Sequence, residues 1–410
     1  TEKQATYGGL RKEMIFITGQ YWGNGREDEL KALNENLPTS TSMTLTGGKI
    51  WGEVSESFLS NLKNNLTAGG KTYRPVSLWV NWPVTDNSKQ HLILGGGEKF
   101  LHPNVDPSLL SGIMLNPMQQ SEPSKIALFS EAQYAWKQWK SEEEAKKVND
   151  IAFNFVENGK FTDSEASIAF RELGKHMINQ NTDGRVVKLE ESVELAPKLA
   201  TFMSKLKAGQ DVSAERQELR GEFAKLKAAA QLYKASGDEK MRSQIHYWLD
   251  NTIDQMDALS ALLDGTEAIE KNDSAKLWDS YYKGLKLYEQ SQTYTFHYVD
   301  HDERAELGVQ HIRPFLLGLR EILATEVQKA LHPDQVISTF ITNRTGVEGG
   351  LAEVTDGDLG THALIKSPNS IKTGDYIGLK FNKAVPLQNL TFAMGTQANP
   401  RDTFNNAKVE

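Results

Sequence analysis

The sequence predicts an α/β region with a parallel sheet, followed by a helical bundle and then a partial antiparallel β-domain. Three observations predict it. Residues 13–124 alternate short apolar runs with helical stretches and Gly/Pro/Asn-rich loops. Residues 125–331 carry long charged-and-apolar stretches at helical spacing. Over 335–410, after His332-Pro333, only short alternating runs remain, bounded by Gly, Asn and Pro.

In chain order, MIFITG (Met14 to Gly19) reads as a strand and REDELKALNENL (Arg26 to Leu37) as a helix. SMTLTGG (Ser42 to Gly48) is a strand and SESFLSNLKNNL (Ser55 to Leu66) a helix with Ser55 as N-cap. The third strand is the run Val76 to Val80, which leaves Asn81 to Asp86 in the loop after it. Strand and helix alternating at this spacing build parallel βα units, whose ligands sit at the carboxyl ends of the strands. The informative residues are therefore Gly19 to Asn24, Thr46 to Gly48 and Asn81 to Asp86. Downstream, stretches such as AERQELRGEFAKLKAAAQLYKA and KMRSQIHYWLDNTIDQMDALSALL are separated by short breaks, Ser236-Gly237-Asp238 among them. Such breaks predict antiparallel neighbours in a bundle. The runs VISTFITN, LIKSP, DYIGLKF, LQNLTFAMG and the terminal NNAKVE predict an incomplete sandwich.

At 410 residues the chain calls for two or three domains. It has no cysteine, which excludes disulfides, thiolate metal sites and a cysteine nucleophile without fixing the compartment. A net charge of −8 and no strong Lys/Arg cluster argue against a nucleic-acid partner. No apolar run approaches the length of a membrane span. The start TEKQATYGGL, with neither signal peptide nor Met, reads as a mature or truncated terminus.

At Asn81 the residues carry a resemblance. WVNWPVTD (Trp79 to Asp86), followed by GIMLNPMQQSEPSKIALFSEAQYAW (Gly112 to Trp136), resembles the end of the catalytic barrel of glycoside hydrolase family 84. That family includes bacterial hyaluronidases and O-GlcNAcases, β-N-acetylglucosaminidases in activity. The resemblance runs on through RAELGVQHIRPFL into GDYIGLKF and so covers most of the chain. It implies a (β/α)8 barrel of which 13–124 holds strands six to eight, a helical domain over 125–331 and a discoidin-like β-domain over 335–410. It also implies site roles. Asn81 resembles the Asn near the acetamido and 3-hydroxyl groups, Asp86 the carboxylate that accepts from the 4- and 6-hydroxyls, and Asn116 the Asn that also holds those hydroxyls. Trp79 and Tyr21 resemble a wall and a hydroxyl donor of the N-acetyl pocket. Thr46 resembles a Thr of a W-T-G-P segment from which Leu45 and Gly48 depart. From the residues alone, Asn81 and Asp86 read first as turn-formers and Trp79 first as packing; the resemblance reverses that order.

The resemblance further implies substrate-assisted hydrolysis with retention, in which the substrate's 2-acetamido oxygen attacks the anomeric carbon and two adjacent Asp residues orient the amide and protonate the leaving oxygen. No Asp-Asp pair occurs in the 410 residues. The catalytic pair and the first five barrel units are thus expected elsewhere, and this chain alone is expected to be inactive. The implied partners are GlcNAc-bearing glycans or glycoproteins and the N-terminal half of the same enzyme, with no cofactor, no metal and a secreted or cell-surface bacterial setting. The rival from another class is a non-catalytic glycan-binding or structural module.

Other motifs carry less. His297 and His301 would share a helical face, a weak metal spacing, but with Asp300, Asp302 and Glu303 they read better as a solvated helix entry. TDGDLGT (Thr355 to Thr361) resembles the Asp-Gly loop of discoidin-like modules, where Ca²⁺ binds, and reads first as a turn. Where many relatives place an aromatic facing the sugar, this chain has Gly184, Arg185, Val186 and Val187.

Overall fold

The computed structural model describes residues 14–25, 27–38, 40–86, 89–90, 92–178, 187, 189–344, 347–355, 362–365, 372–386 and 392–394. Four strands form one parallel sheet in the order β1 (Met14–Ile17), β2 (Thr41–Leu45), β3 (Val76–Pro83), β4 (Leu110–Asn116). Helix α1 (Glu27–Asn36) connects β1 to β2 and α2 (Glu56–Thr67) connects β2 to β3. Short α3 (Gly97–Phe100) lies on the connection from β3 to β4, and α4 (Ser121–Trp136) follows β4. This is the architecture of a partial (β/α)8 barrel, with one correction: four parallel strands, not three. Leu110–Asn116 escapes a reading by apolar runs because it contains Ser111 and Gly112 and is only half-buried along its length.

The central strands are buried on both faces, as parallel strands require. On one side Leu45 stands beside Leu78, and on the other the Thr44 and Ser77 hydroxyls meet at 2.6 Å. Met43, Leu45, Val76, Leu78 and Val80 are each at most 1% exposed. The outer strand β1 differs: Ile15, Phe16 and Ile17 are all exposed.

A second correction concerns β3, which runs on to Pro83 and so includes Asn81. Its register with β4 jumps from Val80↔Leu115 to Pro83↔Asn116, leaving Asn81 and Trp82 in a bulge. A bulge re-aims side chains without ending the strand. Trp82 turns into the core, 1% exposed, and its indole donates to Gly95 O at 2.9 Å.

Two compact units divide the chain. The first comprises residues 1–195, 224–256 and 290–309, the second 196–223, 257–289 and 310–410. The first joins the sheet to α5 (Glu142–Asn158) and α6 (Glu165–Gly174), to segments of α8 (Ser213–Ser236) and α9 (Glu239–Glu270), and to a hairpin of β5 (Thr295–Tyr298) and β6 (His301–Arg304). Ser141 caps α5 and Gly159 closes it at φ +68°.

The second unit takes in α7 (Ala196–Lys207), the rest of α8 and α9, most of α10 (Ser274–Ser291), and α11 (Ile312–Leu331). Phe315 meets the rings of Phe202 and Phe223 in its core, and buried Arg216 bonds Thr266 and Glu270. Its β-part pairs β7 (Ser338–Thr342) with β10 (Ile377–Phe381), and β8 (Val347–Glu348) with β9 (Leu364–Ile365), all antiparallel. The expected strand in LQNLTFAMG lies outside the described residues except for 392–394, and NNAKVE lies wholly outside them.

The helix-entry reading of 297–303 is overturned by the β5–β6 hairpin. Tyr298 pairs with His301 and His297 with Asp302, so the two histidines lie on opposite faces of the ribbon. Among the described residues no helix is long and apolar enough to cross a membrane, and no group of three or more His, Cys, Asp or Glu side chains is placed to hold a metal.

Behind the loop after β2, Gly52 is packed against backbone. A Cβ there would stand 1.8 Å from Thr46 O and 2.7 Å from Gly47 C and O. Gly52→Ala is therefore expected to cost about 2–3 kcal/mol, the upper range for forced overpacking. Denaturant unfolding checks it; a change under about 0.5 kcal/mol would mean that this loop gives way freely.

Candidate functional site

The carboxyl ends of the four strands are tied into one chain of hydrogen bonds. After β1, Tyr21 O accepts from Thr46 N at 2.7 Å. Thr46, directly after β2 and 2% exposed, donates its hydroxyl to Lys49 O at 2.7 Å and so shapes the turn that carries Ile50. Ile50 O accepts from Asn81 Nδ2 at 2.7 Å. Asn81 Oδ1 then accepts twice, from Trp79 Nε1 at 2.8 Å and from Asn116 Nδ2 at 3.0 Å.

Asn81 is the hub because the bulge directs its amide, 8% exposed, across the sheet. A buried amide has two donors and two acceptor positions to satisfy. Here both acceptor positions hold neighbouring side chains at fixed angles. The half-buried indole of Trp79 and amide of Asn116 are thereby held side by side.

Asp86 is held differently. It is exposed, three residues past the end of β3, and its Oδ1 accepts from Tyr298 Oη at 2.9 Å. Tyr298 belongs to the β5–β6 hairpin, and burial together with this carboxylate pushes its phenol up to about 12. The Lys89 ammonium lies 5.2 Å from the Tyr298 ring centroid. The hairpin also bonds both strand-end loops: Gln90 Nε2 donates to Glu303 Oε2 at 3.1 Å, and Gln119 Nε2 to His297 O at 2.6 Å. Near the turn of the hairpin, exposed His301 contacts Asp300 and Glu303 at 2.8 and 3.1 Å, which raises its pKa and keeps it cationic to higher pH.

The structure thus joins Tyr21, Thr46, Trp79, Asn81 and Asn116 in one network and places Asp86 on the hairpin beside the loop after β3. Reading the sequence missed Tyr298, although the alternation Thr295, Phe296, His297, Tyr298 was a strand signal. It also missed the backbone carbonyl of Ile50, which no sequence pattern announces. Gly184, Arg185 and Val186, and residues 356–361 of the Asp-Gly loop, lie outside the described residues. Chemically, amides, an indole, a phenol and one carboxylate suit a ligand with hydroxyl and amide edges and an apolar face. In the network itself neither Asn nor Trp titrates, so it offers binding and not proton transfer.

Asn81→Ala removes the acceptor of two side chains and the donor to Ile50 O. It is expected to destabilise by about 2–3 kcal/mol, the cost of leaving buried polar groups unpaired, and to shift the Trp79 indole N–H resonance. Unchanged stability with an unmoved Trp79 signal would show that the bonds to Asn81 hold nothing in place.

Residues 2–173 match the β-N-acetylglucosaminidase family, and residues 194–294 match the hyaluronidase post-catalytic domain-like family. Among solved structures, CpGH84D is similar at 25% identity and a TM-score of 0.66, over 79% of this chain and 52% of its own length. CpGH84B is similar in fold at 22% identity and a TM-score of 0.60, over 77% of this chain and 53% of its own. An O-GlcNAc hydrolase variant of Thermobaculum terrenum is similar in fold at 17% identity and a TM-score of 0.62, over 81% and 66%. The chain therefore spans about half the length of the first two and just under two thirds of the third. The two family matches and the likeness to CpGH84D agree with the motifs at Trp79–Asp86 and Asn116, and the chain is glycoside hydrolase family 84-like.

Proposed function

We propose that this chain supplies the sugar-holding part of a retaining exo-β-N-acetylglucosaminidase acting on GlcNAc-bearing glycans. The observation that carries the reading is the network centred on Asn81, at the ends of parallel strands where such folds bind ligands. In this reading Trp79 and Tyr21 wall the N-acetyl pocket, Asn81 and Asn116 meet hydroxyls, Asp86 accepts from the distal hydroxyls, and Thr46 shapes the loop beneath them.

Hydrolysis would be substrate-assisted. The 2-acetamido oxygen bonds to the anomeric carbon as the bond to the leaving oxygen breaks, and a carboxylic acid gives that oxygen its proton. Water then adds to the anomeric carbon of the oxazoline, restoring the acetamido group with net retention. The sequence has no Asp-Asp pair to orient the amide and donate the proton. In this reading those carboxylates come from polypeptide outside this sequence, joined at the edge of β1 that pairs with no strand among the described residues, where exposed Ile15, Phe16 and Ile17 suit burial by further βα units. The same missing pair favours a second reading, a glycan-binding module without turnover.

The test is turnover of a fluorogenic β-GlcNAc glycoside by this chain alone at high concentration. No turnover above buffer is expected; robust turnover would contradict the placing of the proton-transferring carboxylates elsewhere. In an enzyme completed by those units, Asp86→Ala is expected to lose about 2–4 kcal/mol of transition-state binding, roughly 30- to 900-fold in kcat/KM. Completion without any gain of turnover would favour the binding-module reading.

A further inference from the structure

The β5–β6 hairpin meets Asp86 from 212 positions away in the chain. It needs no help from Asp86 to stay attached, because Gln90 Nε2 bonds Glu303 and Gln119 Nε2 bonds His297 O. Two further bonds converge beside the hairpin on Gln90 O, from Trp248 Nε1 at 2.9 Å and from Glu306 N at 2.8 Å. The Tyr298–Asp86 bond therefore does something other than fasten the loop.

Tyr298 is rigid where Asp86 is not. Its ring, 8% exposed, sits edge-on to Phe296, which packs on Trp248 at 4.6 Å between centroids. Asp86 is exposed on a loop, and an exposed carboxylate has rotamer freedom that ligand binding must remove. A buried phenol aimed at Oδ1 removes it in advance. Among the described residues Oδ2 makes no hydrogen bond, so one oxygen is fixed and the other is available.

We propose that Tyr298 is the positioning residue for Asp86, holding Oδ1 so that Oδ2 accepts from the hydroxyls of a bound sugar. This rests on the sugar-site reading above and deepens it, since it makes the hairpin after the barrel part of the sugar pocket. The raised pKa of Tyr298 agrees with the role: the phenol stays a neutral donor across the whole working range of pH.

The test uses this chain, tyrosine labelled at the ζ carbon, and methyl β-GlcNAc as probe. In the wild type the Tyr298 signal, assigned by its loss in Tyr298→Phe, is expected to titrate near 12 and to move down in Asp86→Asn. Tyr298→Phe is expected to keep its Tm near wild type while weakening the sugar roughly tenfold, the scale of one hydrogen bond to a charged group. Asp302→Ala, which removes the exposed contact to His297 on the hairpin face away from Tyr298, is expected to leave the affinity unchanged.

A Tyr298 titration indifferent to Asp86→Asn overturns the proposal. So does wild-type affinity in Tyr298→Phe where Asp86→Asn has lost binding; the sugar site then stands without its positioning residue. An equal loss in Asp302→Ala reduces Tyr298 to a structural contact and also overturns it. A wild-type chain that takes no sugar, with Tyr298 still responding to Asp86→Asn, sinks the sugar-site reading and this proposal with it.

Discussion

One buried amide organises this end of the molecule. Asn81 Oδ1 accepts from both Trp79 and Asn116, and its Nδ2 reaches the loop after β2. Strands laid side by side in a sheet do not by themselves fix the side chains at their ends. Fixing them takes a polar group with donors and acceptors in a rigid plane, buried enough that leaving any of them unpaired is costly. The bulge offsets the register of β3 against β4, and across it the Asn81 and Asn116 amides meet. Thr46 and the close approach at Gly52 set the position of the loop that ends in Ile50.

The β5–β6 hairpin works on the same end of the sheet through other chemistry. It brings a neutral phenol, a carboxylate and a backbone carbonyl to the loops after β3 and β4. The residues that meet at this end of the sheet, from Tyr21 to Tyr298, are spread over nearly 280 positions of chain. Short sequence motifs therefore describe only the part contributed by the strands. Near the hairpin's turn, exposed His301 is held between the carboxylates of Asp300 and Glu303.

Much of the fold was legible because burial writes itself into sequence. The apolar runs at Met14, Ser42 and Val76 fell where strands form, and the 3.6-residue pattern marked the long helices. Asn81, Asp86 and Asn116 were singled out by the resemblance of the motifs that carry them; from the residues alone Asn81 and Asp86 read first as turn-formers. Three features were not legible, for different reasons. Leu110–Asn116 is half-buried and interrupted by small residues, so it lacks the run that betrays a central strand. The bulge at Asn81 and Trp82 depends on register with another strand, and a single sequence does not carry register. The hairpin was hidden by its charges, which resemble a helix entry until Tyr298 is seen opposite His301.

The most direct measurement is a titration of ¹⁵N-labelled protein with methyl β-GlcNAc, read at the side-chain N–H signals. The Asn81-centred site predicts that the Trp79 indole and the Asn81 and Asn116 amides shift together and saturate at a single affinity. Saturable shifts confined to another aromatic surface, such as the stacked and exposed Trp278 and Tyr282 of α10, would contradict it. So would sugar-independent spectra at all three side chains.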